Sequence, residues 1–161
     1  MELKQLALAL TITLSSASAM AEVFDINVTG ETTSFNHANV TTGAFSDTWN
    51  FNVAGLVNAD GLLSNFASRA NQNIDFISAT VNGVNLLIDN TLVSNQLSLA
   101  TLLPTNFTGP LQLIVNGVSG GNGSYSGNLN ITAVPEPETY ALMLAGLGLV
   151  GFAARRRKNT V

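Results

Sequence analysis

Catalytic chemistry in this chain would have to be built around His37, the single histidine of the sequence. A Ser-His-Asp hydrolase would use it as the general base, but no serine lies in the G-x-S-x-G turn that presents such a nucleophile in many hydrolases. The sequence has no cysteine, which excludes thiolate catalysis and disulfide bonds. We therefore interpret His37 as an exposed loop residue and expect no catalytic residues. A hydrolase built on His37 stays open as a third hypothesis for function.

The familiar motifs for metal and phosphate binding are also missing. Asp60, Asp75 and Asp89 stand apart from one another and form no D-x-D-x-D-G calcium loop. The GGNGS stretch lacks the lysine and the following helix of a phosphate-binding loop. No local pair of carboxylates has glycosidase-like spacing. The sequence therefore predicts no metal and no cofactor.

One acidic residue, Asp47, interrupts an otherwise regular alternation in FSDTWNFNV. Phe45, Trp49, Phe51 and Val53 share one face with it, and polar residues share the other, which is the period of a half-buried strand. A carboxylate on a buried face needs partners. We interpret Asp47 as an acceptor of structural hydrogen bonds, with a metal ligand as the alternative.

The rest of residues 22–134 also favours β-structure. Asn82-Gly83 lies between β-rich runs, as a type I′ hairpin requires, and strands are predicted after Pro110 and over residues 125–133. Segments 55–72 and 91–103 show no clear period. We expect an all-β fold, an antiparallel, jelly-roll-like β-sandwich of roughly seven to nine strands. The aromatic side chains would fill its core, and a carbohydrate-stacking role for Trp49 is the alternative.

The charge of this body is strongly acidic. Residues 22–134 hold seven Asp and Glu residues against one base, Arg69, which gives a net charge of −6. Such a surface repels phosphate backbones. Nucleic acid is therefore not an expected partner.

The N-terminus has the order of a signal peptide over residues 1–21. Lys4 is followed by an apolar run from Leu6 to Leu14, which is too short to span a bilayer, and then by small residues. Ala19-Met20-Ala21 is an A-x-A-like cleavage site and predicts a mature start at Glu22. Cleavage after Ala19 is a second choice, and a buried first helix is the alternative to a signal peptide.

The C-terminal segment 135–161 has three parts in order. Pro135-Glu136-Pro137 favours an extended linker, residues 140–154 are apolar on every side, and a basic cluster follows at Arg155, Arg156, Arg157 and Lys158. We expect a C-terminal transmembrane helix over 140–154 with its basic end in the cytoplasm. As a helix the run covers about 22 Å, short of a hydrocarbon core of about 30 Å. The sequence therefore predicts transient rather than permanent anchoring, with a simple anchor as the alternative.

These three parts together resemble the PEP-CTERM tail of Gram-negative exported proteins. The resemblance implies recognition by exosortase, a membrane-embedded, transpeptidase-like cysteine protease, and cleavage near the Pro-Glu-Pro motif. Phe45, Asp47 and Trp49 are also similar to the F-x-D-x-F motif of a PEP-CTERM subfamily, with Trp49 replacing the last Phe. That subfamily has no established activity to carry over.

The expected function is that of a non-enzymatic surface or extracellular-matrix protein. It would be exported, held briefly at the inner membrane, processed by an exosortase-like partner and delivered to the cell surface, matrix or biofilm. The alternative is a carbohydrate-binding β-sandwich associated with exopolysaccharide.

Overall fold

A computed structural model of the chain describes residues 19–92, 96–135 and 137–158. Residues 1–18, most of the predicted signal peptide, lie outside the described residues. The described strands and helix are β1 Met20–Asn27, β2 Thr32–Val40, β3 Gly43–Asn52, β4 Leu56–Phe66, β5 Ile74–Val81, β6 Val84–Asn85, β7 Leu87–Thr91, β8 Leu97–Thr108, β9 Leu111–Ser119, β10 Gly123–Ala133 and α1 Pro137–Lys158.

The strands form two five-stranded sheets that enclose one core. Sheet A has the order β1-β3-β9-β5-β6, and sheet B has the order β2-β10-β4-β8-β7. Every strand pair is antiparallel except β1 with β3. Eight strands remain when the edge strands β1 and β7 are set aside. Their order is β2-β10-β4-β8 in sheet B, facing β3-β9-β5-β6 in sheet A, which is the order of an eight-stranded jelly roll. The predicted β-sandwich is confirmed, with a parallel edge strand that the sequence did not reveal.

The alternation over residues 45–53 becomes β3, which lies between β1 and β9 in sheet A. Phe45, Asp47, Trp49 and Phe51 all point into the core and are buried. Trp49 is only 2 % exposed, so the proposed carbohydrate platform at this residue is wrong. A ring enclosed between two sheets offers no face to a sugar.

The two segments without a clear period also form strands. Most of residues 55–72 belongs to β4, and most of residues 91–103 belongs to β7 and β8. The pairing of β4 with β8 shifts register between Ala59 and Gly61, where β8 carries an extra residue near Pro104. Such a bulge moves later side chains to the other face and tolerates a proline. This bulge hides the two-residue period in β8.

The hairpin predicted at Asn82-Gly83 connects β5 and β6. Both residues have positive φ, 46° and 83°, as a type I′ turn requires. The Asn82 side chain donates to the Pro110 carbonyl at 3.0 Å and accepts from the Gln112 amide at 2.7 Å. The turn is thereby tied to the start of β9.

Helix α1 follows the sandwich and leaves its apolar side chains exposed. Among the helices of the described ranges, none has both the length and the apolarity needed to cross a membrane. The prediction of a transmembrane helix over residues 140–154 is therefore wrong. The physical reason is that the apolar run covers about 22 Å, while the bilayer core requires about 30 Å.

Candidate functional site

A chain of polar side chains runs through one end of the sandwich. Asp47 and Trp49 lie on β3, His37 on β2 and Tyr125 on β10, where Tyr125 pairs in register with His37. Glu22 lies on β1 in register with Asp47. Inward-facing positions of both sheets thus meet across the core, because each strand buries alternate residues.

Asp47 is the centre of this polar chain. Its Oδ2 atom accepts a hydrogen bond from the Tyr125 hydroxyl at 2.6 Å and lies 2.6 Å from Nδ1 of His37. The Trp49 indole N–H donates to the Tyr125 oxygen at 2.9 Å. Nε2 of His37 lies 3.6 Å from a Glu22 carboxylate oxygen. Asp47 is only 1 % exposed, and its carboxylate has the hydrogen-bond partners that a buried charged group needs.

The environment keeps Tyr125 protonated. Burial raises the pKa of its phenol, because an ionised ring would lose solvation, and the hydrogen bond that it donates to the Asp47 carboxylate raises the pKa further. The hydrogen bond from Trp49 acts in the opposite direction but is outweighed. Tyr125 is accordingly a neutral donor at physiological pH.

The three residues of the predicted subfamily motif all contact Tyr125. The Phe45 ring stacks on the Tyr125 ring with centroids 5.8 Å apart, while Asp47 and Trp49 hold its hydroxyl. Their spacing of two places all three on one face of β3. The indole at position 49 adds an N–H donor that a phenylalanine would lack.

The interpretation of His37 as an exposed loop residue is wrong. It lies within β2, and its side chain is 12 % exposed. His37 lies two residues after the apolar Phe35, so both side chains lie on the same face of the strand. This alternation in the sequence could have predicted that His37 points inward. Its partner Tyr125 begins the strand predicted over residues 125–133, but the contact of Tyr125 with Asp47 depends on how the sheets stack.

The polar chain has the properties of a structural bridge. In the described part of the chain, the polar contacts of His37 run to Asp47 and Glu22, and no serine or threonine hydroxyl is bonded to it. No group of three His, Asp or Glu side chains in these ranges is arranged to hold a metal ion. The bridge joins β1, β2, β3 and β10, so it ties the two sheets together.

The predicted sorting tail leaves the sandwich at the end of β10. The Val134 amide donates to the Leu56 carbonyl at 2.9 Å, which fixes the exit point. Pro135 is exposed, and α1 begins at Pro137, a favoured first helical position for proline. Glu136 and the side chains of Pro137 and Arg157 lie outside the described residues.

The basic end of the tail lies on the last turns of α1. Arg155 and Arg156 are exposed there, and positive charge at a helix C-terminus is favourable. At the other end of the chain, Ala19 precedes β1 and Ala21 lies within it. Their role in signal-peptide cleavage stays a prediction.

Comparison with known families identifies this tail. Residues 133–158 match the model of the PEP-CTERM protein-sorting motif. The match includes all of the predicted sorting residues: Pro135, Glu136, Pro137, Arg155, Arg156 and Arg157. Membership of the F-x-D-x-F subfamily stays a prediction. No curated protein matches the chain.

Two solved structures resemble the chain weakly. One is the pre-peptidase C-terminal domain of a collagenase from Bacillus anthracis, with 15% identity and a TM-score of 0.38, covering 71% of this chain and 97% of that one. The other is a β-glucosidase from Paenibacillus barengoltzii, with 14% identity and a TM-score of 0.34. It covers 72% of this chain, which spans only 12% of the β-glucosidase. Similarities at this level carry no argument about fold or function.

Proposed function

We propose that an exosortase-type enzyme cuts the chain at the PEP-CTERM protein-sorting motif of its tail and that the β-sandwich then acts as a non-enzymatic surface protein. Export and membrane-associated sorting follow from the motif. The role of the released body in the extracellular matrix, in adhesion or in a biofilm is the proposed step.

The observation that carries this proposal is the separation of the tail from the folded body. The last strand ends at Ala133, and the Val134 amide still pairs with Leu56. A cut at Pro135-Glu136-Pro137 removes α1 and leaves every strand of both sheets intact. Pro135 is exposed and lies between the end of β10 and the start of α1, so it is open to an enzyme.

The apolar and basic parts of the tail would guide the chain to that enzyme at the inner membrane. Residues 140–154 are apolar and exposed on α1, which favours contact with a membrane-associated enzyme. This association would be brief, because cleavage removes the whole segment. The enzyme and the membrane are therefore the proposed partners during sorting.

The polar chain around Asp47 supports a non-enzymatic body. Its groups bond to one another across the core, and the region of His37 presents a carboxylate, Glu22, rather than a nucleophile. A hydrolase built on His37 would need a hydroxyl in reach of the imidazole. We therefore interpret the polar chain as the feature that fixes the sandwich.

Replacement of the motif prolines tests the sorting step. In a host that has an exosortase, the double variant Pro135→Ala, Pro137→Ala is expected to remain cell-associated at full length, while the parent chain is shortened and released. Pro104→Ala, which removes an exposed proline from the β8 bulge, is the matched control and should be processed normally. Equal release of the parent and the double variant would contradict the proposal.

A further inference from the structure

A groove on sheet A lies apart from both the polar chain and the tail. It lies where the parallel strands β1 and β3 end and β9 begins, and it has a volume of about 350 Å³. Asp25 and Asn27 line it from β1, Asn50 and Asn52 from β3, and Pro110 from the turn before β9. The volume is at the lower end for ligand pockets, which suits one or two sugar rings.

Part of the polar lining is already fixed in place. The Asn50 amide donates to Oδ1 of Asp25 at 2.8 Å, and the Gln112 amide donates to Oδ1 of Asn50 at 3.0 Å. The Asn82 side chain holds the Pro110 carbonyl at 3.0 Å. Side chains that are fixed before binding lose less entropy when a ligand arrives.

Other polar groups in the groove remain available. In the part of the chain that the structure describes, no hydrogen bond engages the side-chain amides of Asn27 and Asn52. Each amide offers two N–H donors and one acceptor oxygen, and the Asp25 carboxylate adds acceptor capacity. Hydroxyl groups of a sugar ring can both donate hydrogen bonds to such groups and accept hydrogen bonds from them. Pro110 adds exposed apolar surface for the C–H face of such a ring.

The charge of the body selects among sugars. Residues 22–134 have a net charge of −6, and Asp25 lies in the groove itself. A uronic acid or a sulfated sugar would be repelled. From the geometry and this charge, we propose that the groove between the ends of β1 and β3 binds an uncharged saccharide.

This site is independent of the processing of the tail and replaces the rejected platform at Trp49. In the alternative function, a body that binds exopolysaccharide, the contacts with sugar would be made by the side-chain amides of Asn27 and Asn52 on sheet A. The aromatic side chains of the core would take no direct part in these contacts.

Calorimetric titration of the purified full chain, without sugar-based detergents, tests the site. The probes are cellobiose, maltose, chitobiose and α-mannobiose as neutral disaccharides, with digalacturonic acid as the anionic counterpart. We expect at least one neutral probe to bind with a Kd on the order of 1 mM or below and digalacturonic acid to bind at least tenfold more weakly. Failure of all four neutral probes to bind, or equal affinity for the anionic one, overturns the proposal.

Single variants locate the binding. Asn52→Ala and Asn27→Ala are each expected to reduce affinity for the neutral probe at least tenfold. Asn36→Ala removes an equally exposed strand asparagine from sheet B and should leave affinity unchanged. Both groove residues are exposed, so the folded state, checked by Trp49 fluorescence, should persist. Unchanged affinity in the two groove variants overturns the proposed site.

Discussion

Nδ1 of His37 lies 2.6 Å from Oδ2 of Asp47, so the single histidine of the chain contacts a carboxylate in the interior of the sandwich. The two residues belong to different sheets, His37 to β2 in sheet B and Asp47 to β3 in sheet A. Tyr125 donates to the same carboxylate oxygen at 2.6 Å. Asp47 thereby anchors two side chains of sheet B to sheet A.

Loss of the Asp47 carboxylate should destabilise the fold strongly. Asp47→Ala leaves the Tyr125 hydroxyl without its acceptor and His37 without its buried polar contact, and breaking a buried pair of this kind costs about 3 kcal/mol or more. Urea unfolding followed by Trp49 fluorescence measures the change. Asp60→Ala is the control, because Asp60 bonds Asn130 on an exposed face and should cost about 0.5 kcal/mol or less. Similar losses in the two variants would show that the buried contacts contribute no more than surface ones.

The raised pKa of Tyr125 predicts a loss of stability at high pH. Because the phenol ionises less readily in the folded chain than in the unfolded chain, its contribution is complete below the unfolded pKa of about 10 and declines as pH rises further. The free energy of unfolding should therefore fall as pH rises above about 10. This slope should be smaller in Tyr125→Phe and unchanged in Tyr140→Phe, where the ring lies on the exposed helix. Identical slopes in both variants and the parent would contradict the assignment.

Close packing against Gly127 predicts a second sensitive position. A Cβ atom there would lie 2.5 Å from the Phe35 ring and 2.8 Å from Leu63. Gly127→Ala should therefore lower the free energy of unfolding by about 1–3 kcal/mol. Gly30→Ala meets nothing within 4 Å and should stay within about 0.5 kcal/mol of the parent. A parent-like midpoint for Gly127→Ala in urea unfolding would count against this packing.

The signal peptide predicts the start of the mature chain. Cleavage after Ala21 leaves Glu22–Asn27 as the first strand, which retains Glu22 near His37 and Phe24 stacked on Trp49 at 4.0 Å. Intact-mass analysis of the exported protein should give Glu22 as its first residue. A first residue at Met20 would favour the second cleavage site, and an uncleaved N-terminus would contradict the prediction.

Local patterns in the sequence predicted the fold class because one face of most strands is buried. The alternation over residues 45–53 located β3, and Asn82-Gly83 located a hairpin. The bulge near Pro104 interrupted the same signal in β8. The pairing of strands that are distant in the chain could not be predicted, because no local pattern shows which strands become neighbours. The parallel pairing of β1 with β3 is one example.

The candidate site was predictable only in pieces. The sequence predicted that Asp47 needs hydrogen-bond partners, because its carboxylate shares a strand face with aromatic residues. It did not predict which residues those partners are. Tyr125 and His37 become those partners through the stacking of the sheets. The tail was predicted more fully, because its three parts follow one another in the chain and residues 133–158 match the sorting motif.

Mass spectrometry of the C-terminus of the exported protein tests the central claim most directly. Processing by an exosortase-type enzyme predicts that the chain ends close to Pro135-Glu136-Pro137, with every strand of the sandwich retained. The same chain from a strain without exosortase should keep its tail. Recovery of exported protein that still extends through Lys158 in the presence of the enzyme would contradict the account.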